Sequence, residues 1–483
     1  MGGACSRKRN QLVDEDSVHR GVSGRYCKSG SSKWLGTSFS RAAADIKQGK
    51  GKCPSLMELC VYKIREDINQ HSTFSILPRD ISQQIFNELV YSQTLTETSF
   101  EAFRDCALQD LNLGEYPGVN DSWMDVISSQ GPSLLSVDLS GSDVTDSGLI
   151  HLVDCKNLQA LNFDYCDQIS DHGLERLSGL SNLTSLSFRR NNTISAQGMS
   201  AFSGLFNLVK LDLERCPGIH GGLDHIKGLT KLESLNINCC NCITDGDMKP
   251  LSGLTNLKGL QISSSKVTDY GVTFLKALNK LTLLNMEGCP VTLACLDSLS
   301  ELRTLKVLNL GFNEDISDAV LVHLKGLGNL ESLNLSFTVV TDGGLRKLSG
   351  LSSLKSLNLD ARQITDAGLA GLTNFKNLRS LEICGGGLTD AGVKNIKDLS
   401  FLTLLNLSQN GHLTDKTLEL ISGLTQLVCL NVSNSRVTSA GLQHLKPLKN
   451  LKSLTLESCK VTANDIKKLQ SADLPNLVNY RPE

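Results

Sequence analysis

The sequence lacks any run of 18 or more apolar residues, and its first residues contain no apolar core of a secretory signal. The first absence excludes a membrane-spanning helix, and the second indicates a protein that is not secreted. We therefore expect the 16 cysteines to be reduced thiols, because the cytosol and the nucleus keep thiols reduced. The expected location is the cytoplasm, with the nucleus as an alternative.

A strong charge of one sign is also missing, since the formal net charge of the whole chain is −2. The charge is unevenly spread, because residues 1–53 hold 11 Lys and Arg against 4 Asp and Glu. That segment therefore carries about +7 and the remaining body about −9. An acidic body argues against nucleic acid as its main partner, whereas the basic segment suits an anionic surface.

Repetition is what the sequence has in abundance. Residues 329–351 read NLESLNLSFTVVTDGGLRKLSGL, and residues 353–375 read SLKSLNLDARQITDAGLAGLTNF. The shared frame is L-x-x-L-x-L-x-x-[C/N/S]-x-x-[I/V/L]-[T/S]-D-x-G-L-x-x-L, and after its first step it recurs every 24 or 25 residues. Its central position is occupied by Leu111, Val137, Leu161, Leu186, Leu211, Leu235, Leu260, Leu284, Leu308, Leu333, Leu357, Leu381, Leu405, Leu430 and Leu454. Fifteen copies identify a leucine-rich repeat.

The frame predicts an α/β solenoid with a horseshoe shape. Leu333 and Leu335 alternate with polar residues, so each repeat contributes one short strand that buries one face. The segment GLRKLSGL returns the chain as a short helix, which makes the strands parallel and places them on a concave face. A single repeat is too small to form a core, and burial comes only from stacking on its neighbours.

Two polar positions of the frame are predicted to be structural. A Thr-Asp or Ser-Asp pair precedes the helix of most repeats, where it can accept helix N–H groups and complement the helix dipole. Five repeats carry a cysteine in the turn after the strand, and other repeats carry Asn, Ser or Thr there, which indicates a small buried group bonded to turn backbone. These cysteines are Cys166, Cys216, Cys240, Cys289 and Cys459.

Catalytic and cofactor signatures are absent from the sequence. It contains no Walker loop, HExxH, GxSxG or dinucleotide fingerprint. The cluster Cys239, Cys240 and Cys242 lacks the paired, spaced halves of a zinc site. Four histidines share one helix position but lie three, four and five repeats apart, too far to meet at one substrate. We expect no enzyme, no cofactor and no metal.

The outward strand positions are the place to look for a binding surface. The middle row is rich in asparagine, from Asn162 to Asn431, and predicts a side-chain amide ladder across the sheet. The next row brings Asp164, Arg189 and Glu214 side by side, because neighbouring strands lie about 4.8 Å apart. This arrangement is either a lateral ion ladder or a recognition patch. The partner-binding candidates are Asp164, Arg189, Arg190, Glu214, Arg215 and Glu287. No aromatic residue falls on these rows, so rims and end repeats are the alternative location.

The first residues, MGGACSRKR, contain a lipidation pattern. Gly2 after Met with Ser6 fits N-myristoylation, and Cys5 is placed for palmitoylation beside three basic residues. Two acyl chains, or one chain with basic residues, hold a protein at a membrane. The alternative is an inert flexible start, and residues 10–53 are expected to be disordered.

Two helices are predicted between this tail and the repeats. Residues 55–68 have helical apolar spacing, and a second helix starts near Pro78, with Ile81, Ile85, Phe86 and Leu89 as its apolar stripe. Such a helix suits the end of a solenoid, where the first sheet edge must be covered. We expect a tail at 1–53, a helical segment at 54–106, repeats at 107–469 and a C-terminal cap at 470–483.

The same helix carries a resemblance to a known family. Leu77-Pro78-x-x-Ile81 with Ile85-Phe86 and Leu89 resembles the opening of an F-box, and repeats with TDxGLxxL and a turn cysteine resemble those of F-box/LRR proteins, especially the plant ones. The resemblance implies a substrate receptor of an Skp–cullin–F-box ubiquitin ligase. In such a receptor the F-box docks on an Skp-type adaptor and the horseshoe holds a target protein for ubiquitin-dependent degradation.

Three functions are consistent with the sequence. The first is the non-enzymatic recognition subunit of a ubiquitin ligase, with Leu77, Pro78, Ile81, Ile85, Phe86 and Leu89 as adaptor-binding residues. The second is a scaffold of leucine-rich repeats, anchored by lipid at the cytoplasmic membrane face through Gly2 and Cys5. The third is a stand-alone inhibitor that wraps an enzyme. All three place protein partners on the repeats.

Overall fold

The computed structural model describes residues 54–359 and 362–481. The lipidation motif with Gly2 and Cys5 lies outside these residues. The chain divides into two compact units between Glu66 and Asp67, so the boundary falls inside the segment predicted as one helical region. The first unit contributes one described helix, and the second contains all of the sheet.

The second unit is built on one parallel sheet whose 16 strands follow chain order. The strands are β1 Asp110–Asn112, β2 Ser136–Asp138, β3 Ala160–Asn162, β4 Ser185–Ser187, β5 Lys210–Asp212, β6 Ser234–Asn236, β7 Gly259–Gln261, β8 Leu283–Asn285, β9 Val307–Asn309, β10 Ser332–Asn334, β11 Ser356–Asn358, β12 Ser380–Glu382, β13 Leu404–Asn406, β14 Cys429–Asn431, β15 Ser453–Thr455 and β16 Asn479–Arg481. This architecture confirms the predicted α/β repeat solenoid.

Short helices return the chain from one strand to the next. The α-helices are α1 Leu56–Glu66, α2 Arg79–Tyr91, α3 Glu97–Phe100, α4 Met124–Ser129, α5 Asp171–Glu175, α6 Asp245–Met248, α7 Asp269–Val272, α8 Cys295–Leu299, α9 Asp342–Lys347, α10 Asp366–Leu369, α11 Asp390–Val393, α12 Asp415–Ile421 and α13 Ala463–Ala472. Turns of 3₁₀-helix occupy Ile68–Gln70, Glu101–Phe103, Asp121–Trp123, Gly131–Ser133, Gly148–Leu152, Arg176–Gly179, Gly198–Gly204, Gly222–Ile226, Lys249–Gly253, Thr273–Ala277, Val320–Gly326, Leu348–Gly350, Ala370–Leu372 and Ser439–Leu445. Within the described ranges, no helix is long and apolar enough to cross a bilayer.

The central residue of each strand faces the core. All fifteen predicted central positions pair with one another in register, and their side chains are at most 3% exposed. The C-terminal end adds a sixteenth strand, in which Tyr480 pairs with Leu454. Each buried leucine contributes about 1.5–3 kcal/mol, and a repeat gains this only in the presence of its neighbours.

The N-terminal end of the sheet is covered by α2, which Pro78 precedes. Ile85, Phe86 and Leu89 are completely buried there, and the Phe86 ring meets the Phe103 ring edge-on at 5.7 Å. Half of the predicted adaptor-binding stripe therefore lies inside the cap, because the first repeat needs an apolar cover. An adaptor could reach these three side chains only if the cap opened.

The side chain of Gln83 on α2 also satisfies the open edge of β1. Its amide donates to the carbonyl of Asp110 at 2.6 Å, and its Oε1 accepts from the N–H groups of Gln109 and Asp110 at 3.0 and 3.2 Å. An edge strand otherwise presents unpaired backbone groups to other chains. One glutamine thus ends the sheet on this side.

The Thr-Asp pairs cap helices as predicted, but only through the hydroxyl. Thr341 accepts from the N–H of Gly343 at 3.2 Å, as an N-cap residue does. The carboxylates instead reach the next repeat, at the turn between its strand and its helix. There each carboxylate accepts from the backbone N–H of the Thr or Ser at 2.7–3.0 Å and from the hydroxyl of the same residue. These rungs join Asp121 to Thr145, Asp146 to Ser170, Asp171 to Ser195, Asp245 to Thr268, Asp269 to Thr292, Asp318 to Thr341, Asp342 to Thr365, Asp366 to Thr389, Asp390 to Thr414 and Asp415 to Thr438. We call this set the aspartate ladder.

The glycine of the TDxG motif leaves room for the aspartate ladder. A Cβ built on Gly392 would lie 2.2 Å from Oδ1 of Asp366, and one on Gly368 would lie 2.4 Å from Oδ1 of Asp342. A side chain at either position would push the carboxylate off its rung. The aspartate position itself is filled by other residues in five repeats, namely by Ala196, Gly221, Leu293, Ser439 and Ala463.

Two further sets of hydrogen bonds connect neighbouring repeats. Turn cysteines donate to a carbonyl of the preceding repeat, as Cys216 does to Phe188 at 3.1 Å, which confirms their structural role. Burial raises the pKa of the Cys216 thiol to about 12, so it stays a neutral donor. Asparagines ahead of the strands donate to the preceding repeat at 2.8–3.2 Å, a role the sequence did not reveal. They are Asn157, Asn182, Asn207, Asn256, Asn329, Asn377, Asn450 and Asn476.

We predict that Gly392→Ala destabilises the protein by about 1–3 kcal/mol, because the new methyl group collides with the Asp366 carboxylate. Alanine would otherwise favour the helix by up to about 1 kcal/mol. Urea denaturation followed by circular dichroism measures the effect. The control is Gly423→Ala, since nothing lies within 4 Å of a Cβ built there. Equal stability of the two variants would contradict the role of the glycine.

Candidate functional site

We call the side of the sheet opposite the leucines the open face. Its middle row, predicted as an amide ladder, is built differently. Asn334 accepts from the N–H of Ser336 at 2.9 Å, so its carbonyl closes its own turn. Where the amide groups reach a neighbouring strand they meet carboxylates, as Asn309 does with Glu287 at 2.7 Å. The asparagines therefore fix the turns, and acidic neighbours replace most of the expected amide-to-amide contacts.

The charged cluster of the open face belongs to the repeats of β3 to β5, and Asn236 on β6 donates to its Asp212 at 3.0 Å. Arg189 donates through Nη2 to Glu214 Oε2 at 2.8 Å, and its Nε lies 3.9 Å from Asp212. Asp164 accepts from the Ser187 hydroxyl at 2.5 Å and from the Arg189 backbone N–H at 2.8 Å, so it meets the arginine backbone rather than its guanidinium. The predicted trio is thus brought together, with Asp212 as a fourth member that the sequence did not single out.

Two carboxyl groups of this cluster, those of Asp164 and Asp212, have raised pKa values. Burial raises the pKa of Asp212 to about 6, with hydrogen bonds from Glu214 N–H and Asn236 and the charge of Arg189 acting in the opposite direction. Burial also raises the pKa of Asp164, again opposed by its two donors. Coulomb attraction by Glu214 and Asp212 raises the pKa of Arg189 against the effect of burial. Burial therefore disfavours the ionised form of Asp164 and Asp212 in this cluster.

Glu287 does not join this cluster. It follows β8, three strands beyond Glu214, where it accepts from Asn309. Arg190 and Arg215 lie next to the cluster, in the turns after β4 and β5. The Arg190 guanidinium lies 5.2 Å from the centre of the Tyr165 ring, and Arg215 Nε lies 3.9 Å from Glu214. The six predicted partner-binding residues therefore form one group of five and one separate carboxylate.

A second row of the surface runs along these turns. At fourteen described positions, the residue four places after a strand centre has a left-handed backbone with φ between 53° and 71°. Most of these N–H groups donate to the next repeat, as Tyr165 does to Arg189 at 2.8 Å. We call this row the turn ridge. In chain order it consists of Glu115, Gly141, Tyr165, Arg190, Arg215, Cys239, Ser264, Gly288, Phe312, Phe337, Gly385, Gln409, Asn434 and Ser458.

Three aromatic residues of the turn ridge were missed in the sequence. Tyr165, Phe312 and Phe337 are 46%, 42% and 46% exposed, and the two phenylalanine rings stack at 4.3 Å. They lie one position beyond the charged row, so extending the repeat alignment by a single column would have found them. Their position beside the sheet is one of the two places, rims and end repeats, that the sequence offered as an alternative location for a binding surface.

Two thiols of the cysteine cluster that follows β6, those of Cys240 and Cys242, have raised pKa values. Burial raises the pKa of the Cys242 thiol and, more strongly, that of Cys240, which opposes the thiolate form needed for nucleophilic attack or metal binding. In the part of the chain that the structure describes, no group of three or more His, Cys, Asp or Glu side chains could hold a metal ion.

Comparison with known protein families identifies the repeat. The family described as Leucine Rich repeat matches residues 132–153, 154–178, 179–203, 228–252, 301–319 and 329–349. Curated proteins give no significant match to this chain. No F-box family is among the matches, so the resemblance of Leu77–Leu89 to an F-box rests on its residues alone.

Solved structures of leucine-rich-repeat proteins are similar to this chain. An internalin, inlF, of Listeria monocytogenes is 26% identical over 73% of this chain and 88% of its own, with a TM-score of 0.46. An LRR protein of Leptospira interrogans is 22% identical over 74% and 91%, with a TM-score of 0.49. The functional domain of Listeria InlJ, which includes a cysteine ladder, is 19% identical over 80% and 74%, with a TM-score of 0.47.

The family matches and the 16-stranded parallel sheet together define the class of the protein. The chain contains leucine-rich repeats and folds as an open leucine-rich-repeat solenoid. Solenoids of this kind present extended surfaces for protein–protein interaction. The charged cluster and the bulky side chains of the turn ridge are the parts of that surface that depart from the repeated pattern.

We predict that the stability of the protein falls between about pH 4 and pH 7 through Asp212. Its folded pKa of about 6 exceeds the ordinary value of 3.8, so the folded state binds more protons in this range and loses stability as the carboxyl ionises. We compare the free energy of unfolding of Asp212→Asn with that of the native protein. This difference should shift in favour of the variant by about 1–2 kcal/mol between pH 4 and pH 7. The figure is reduced to allow for solvent screening, because the side chain is 26% exposed. Denaturant midpoints at both pH values measure it.

The control is Glu382→Gln, which removes a carboxylate from the same strand position on β12. A difference between Asp212→Asn and the native protein that does not change with pH would contradict the prediction.

Proposed function

We propose that this protein is a non-enzymatic recognition subunit that binds a protein partner through the open face at β3 to β6 and the adjoining turns. The observation that carries the proposal is the charged cluster of Asp164, Arg189, Asp212 and Glu214. Repeats with Asn and Ser in these rows stack equally well, so stacking does not require the charged side chains. Residues that depart from a structural repeat are the ones free to serve recognition.

The electrostatics of the cluster support the same proposal. Four charged groups stay partly desolvated within a few ångströms of one another, which costs stability in the free protein. A partner that supplies complementary hydrogen bonds would recover part of that cost and gain specificity. An arrangement that only stabilised the sheet would not need a carboxyl whose pKa is about 6.

Photo-crosslinking in cells tests this proposal. A photoreactive benzoylphenylalanine replaces Ser234, which lies at the start of β6 on the open face, and in a second variant it replaces Lys249 on the helical side of the same repeat. We expect a discrete crosslinked protein from the first position and none from the second. Equal labelling from both positions, or none from either, would contradict an open-face site.

A ubiquitin-ligase receptor is the second candidate, and the turn before α2 favours it. Pro78 is exposed and Leu77 half-buried, and Ile76 ahead of them is 84% exposed. An exposed apolar turn is a suitable dock for another protein. We propose that an Skp-type adaptor binds here through Leu77, Pro78 and Ile81, while the solenoid holds the target for ubiquitin-dependent degradation. Ile85, Phe86 and Leu89 support this role only by holding the cap.

Binding of the full chain to a purified Skp-type adaptor tests the receptor role. We expect micromolar or tighter affinity, weakened at least about ten-fold by Leu77→Asp with Ile81→Asp. Tyr91→Asp, on an exposed part of the same helix, is the control and should bind normally. Charge at Ile85 or Phe86 would not be informative, because it would unfold the cap. Absence of binding at high micromolar concentration would exclude the adaptor.

A further inference from the structure

The turn ridge places bulky side chains in an unfavourable backbone conformation. A left-handed φ suits glycine, and three repeats have it there, at Gly141, Gly288 and Gly385. Bulky residues with a positive φ are rare, and such strain concentrates at ligand-binding sites. Phe312 and Phe337 adopt it with φ of 56° and 53°. Glycine would serve the fold better, so the aromatic side chains need another explanation.

Burial does not supply that explanation. Both phenylalanine side chains remain more than 40% exposed although their rings stack, and Val339, two residues after Phe337, is 39% exposed. The two stacked rings form an apolar patch in the turns after β9 and β10, and Val339 adds a further exposed apolar side chain to the second turn. Exposed apolar patches on a soluble protein mark interaction sites.

A cationic group lies on the same row. Arg190 stacks on Tyr165 and forms no ion pair with any residue that the structure describes, and its Nε is buried without a hydrogen-bond partner. Arg215 beside it keeps 43% of its side chain exposed, and its Nε lies 3.9 Å from Glu214. The carboxylates of the cluster lie deeper, since Asp164 and Glu214 are 6% and 8% exposed. The ridge therefore presents arginine to a partner, and stacking on tyrosine holds the guanidinium in place.

Small residues separate these two groups. Between Arg215 and Phe312 the ridge holds only Cys239, Ser264 and Gly288. The two groups are four strands apart, which is about 19 Å at 4.8 Å per strand. An extended peptide advances about 3.3 Å per residue, so about six residues would span the gap. The turn ridge thus has a cationic end, a middle part with small side chains and an aromatic end.

We propose that the turn ridge binds an extended segment of a partner protein in which an acidic residue is followed or preceded, about six positions away, by a large apolar side chain. The carboxylate pairs with Arg190 and Arg215, which suit bidentate hydrogen bonds. The apolar side chain packs on Phe312 and Phe337. The segment crosses the turns over the small residues between. The proposal rests on the proposed protein-binding function and adds the chemistry of its partner.

A peptide library tests the proposal. Random 12-residue peptides displayed on phage are selected on the purified full chain, and the enriched consensus is synthesised with a fluorescent label. We expect an Asp or Glu and an aromatic or large aliphatic residue about six positions apart. Fluorescence anisotropy then measures the affinity of this peptide for variants of the protein. Enriched peptides without this pair, or no enrichment, would overturn the proposal.

Two double variants separate binding from folding. Arg190→Glu with Arg215→Glu should weaken the peptide at least ten-fold. Phe312→Gly with Phe337→Gly should weaken it similarly without lowering the melting temperature, because glycine relieves the left-handed strain. Gln409→Gly is the matched control, since Gln409 has the same backbone conformation at φ 62° and lies outside both groups. Unchanged affinity in both double variants would overturn the ridge as the site.

The outcome also distinguishes this proposal from the one on which it rests. If Ser234 crosslinks to a partner but the ridge variants bind the peptide normally, the open face remains the binding site. The turn ridge is then not part of that site. Absence of crosslinking together with ridge-dependent peptide binding would move the recognition surface from the open face to the turns.

Discussion

The structure depends on the carboxylate that most repeats extend to their successors. Stacking of leucines is nondirectional, and it would tolerate repeats that slide or rotate against one another. A carboxylate that accepts both an N–H and a hydroxyl from the next turn fixes the register, because the donors lie in known directions. The strands, the open face and the row of turns owe their alignment to this constraint, and a surface spread over several repeats can act as one site only when they are aligned.

Part of this fold could be read from the sequence, and the reasons for the rest are physical. Periodicity of 24 or 25 residues located fifteen of the sixteen strand centres, since apolar spacing is a local property. The carboxylate of Asp366 was assigned to its own helix because sequence reasoning seeks partners nearby, whereas its donors lie 23 residues away on Thr389. The cap helix posed the same problem, since the apolar stripe of an adaptor site and that of a buried helix look alike before the neighbours of Phe86 are known.

The surface was harder to predict from the sequence than the core. The charged trio could be predicted from strand spacing, but not the fact that Asp164 bonds the backbone of Arg189 rather than its side chain. The turn ridge was harder still, because a positive φ is intrinsically disfavoured for Phe312 and nothing local to that residue announces it. The signal was present in the glycines at the same position of other repeats, and in one asparagine, Asn434, which are the residues that adopt this conformation readily.

Interruption of the aspartate ladder has a mechanical consequence. Ala196 and Leu293 offer no carboxylate, so the junctions between β4 and β5 and between β8 and β9 lack the directional rung that clamps other repeats. In a linear array each junction deforms independently of distant ones, and compliance therefore concentrates at the weakest junctions. We therefore expect stiff blocks joined by softer joints. The block from β5 to β8 stays connected although Gly221 offers no carboxylate, because Asp247 accepts from the Gly221 N–H at 2.6 Å. This block carries the small residues of the turn ridge between its two ends. Small rotations at those joints would change the span between arginines and phenylalanines, which lets one surface accommodate segments of slightly different length.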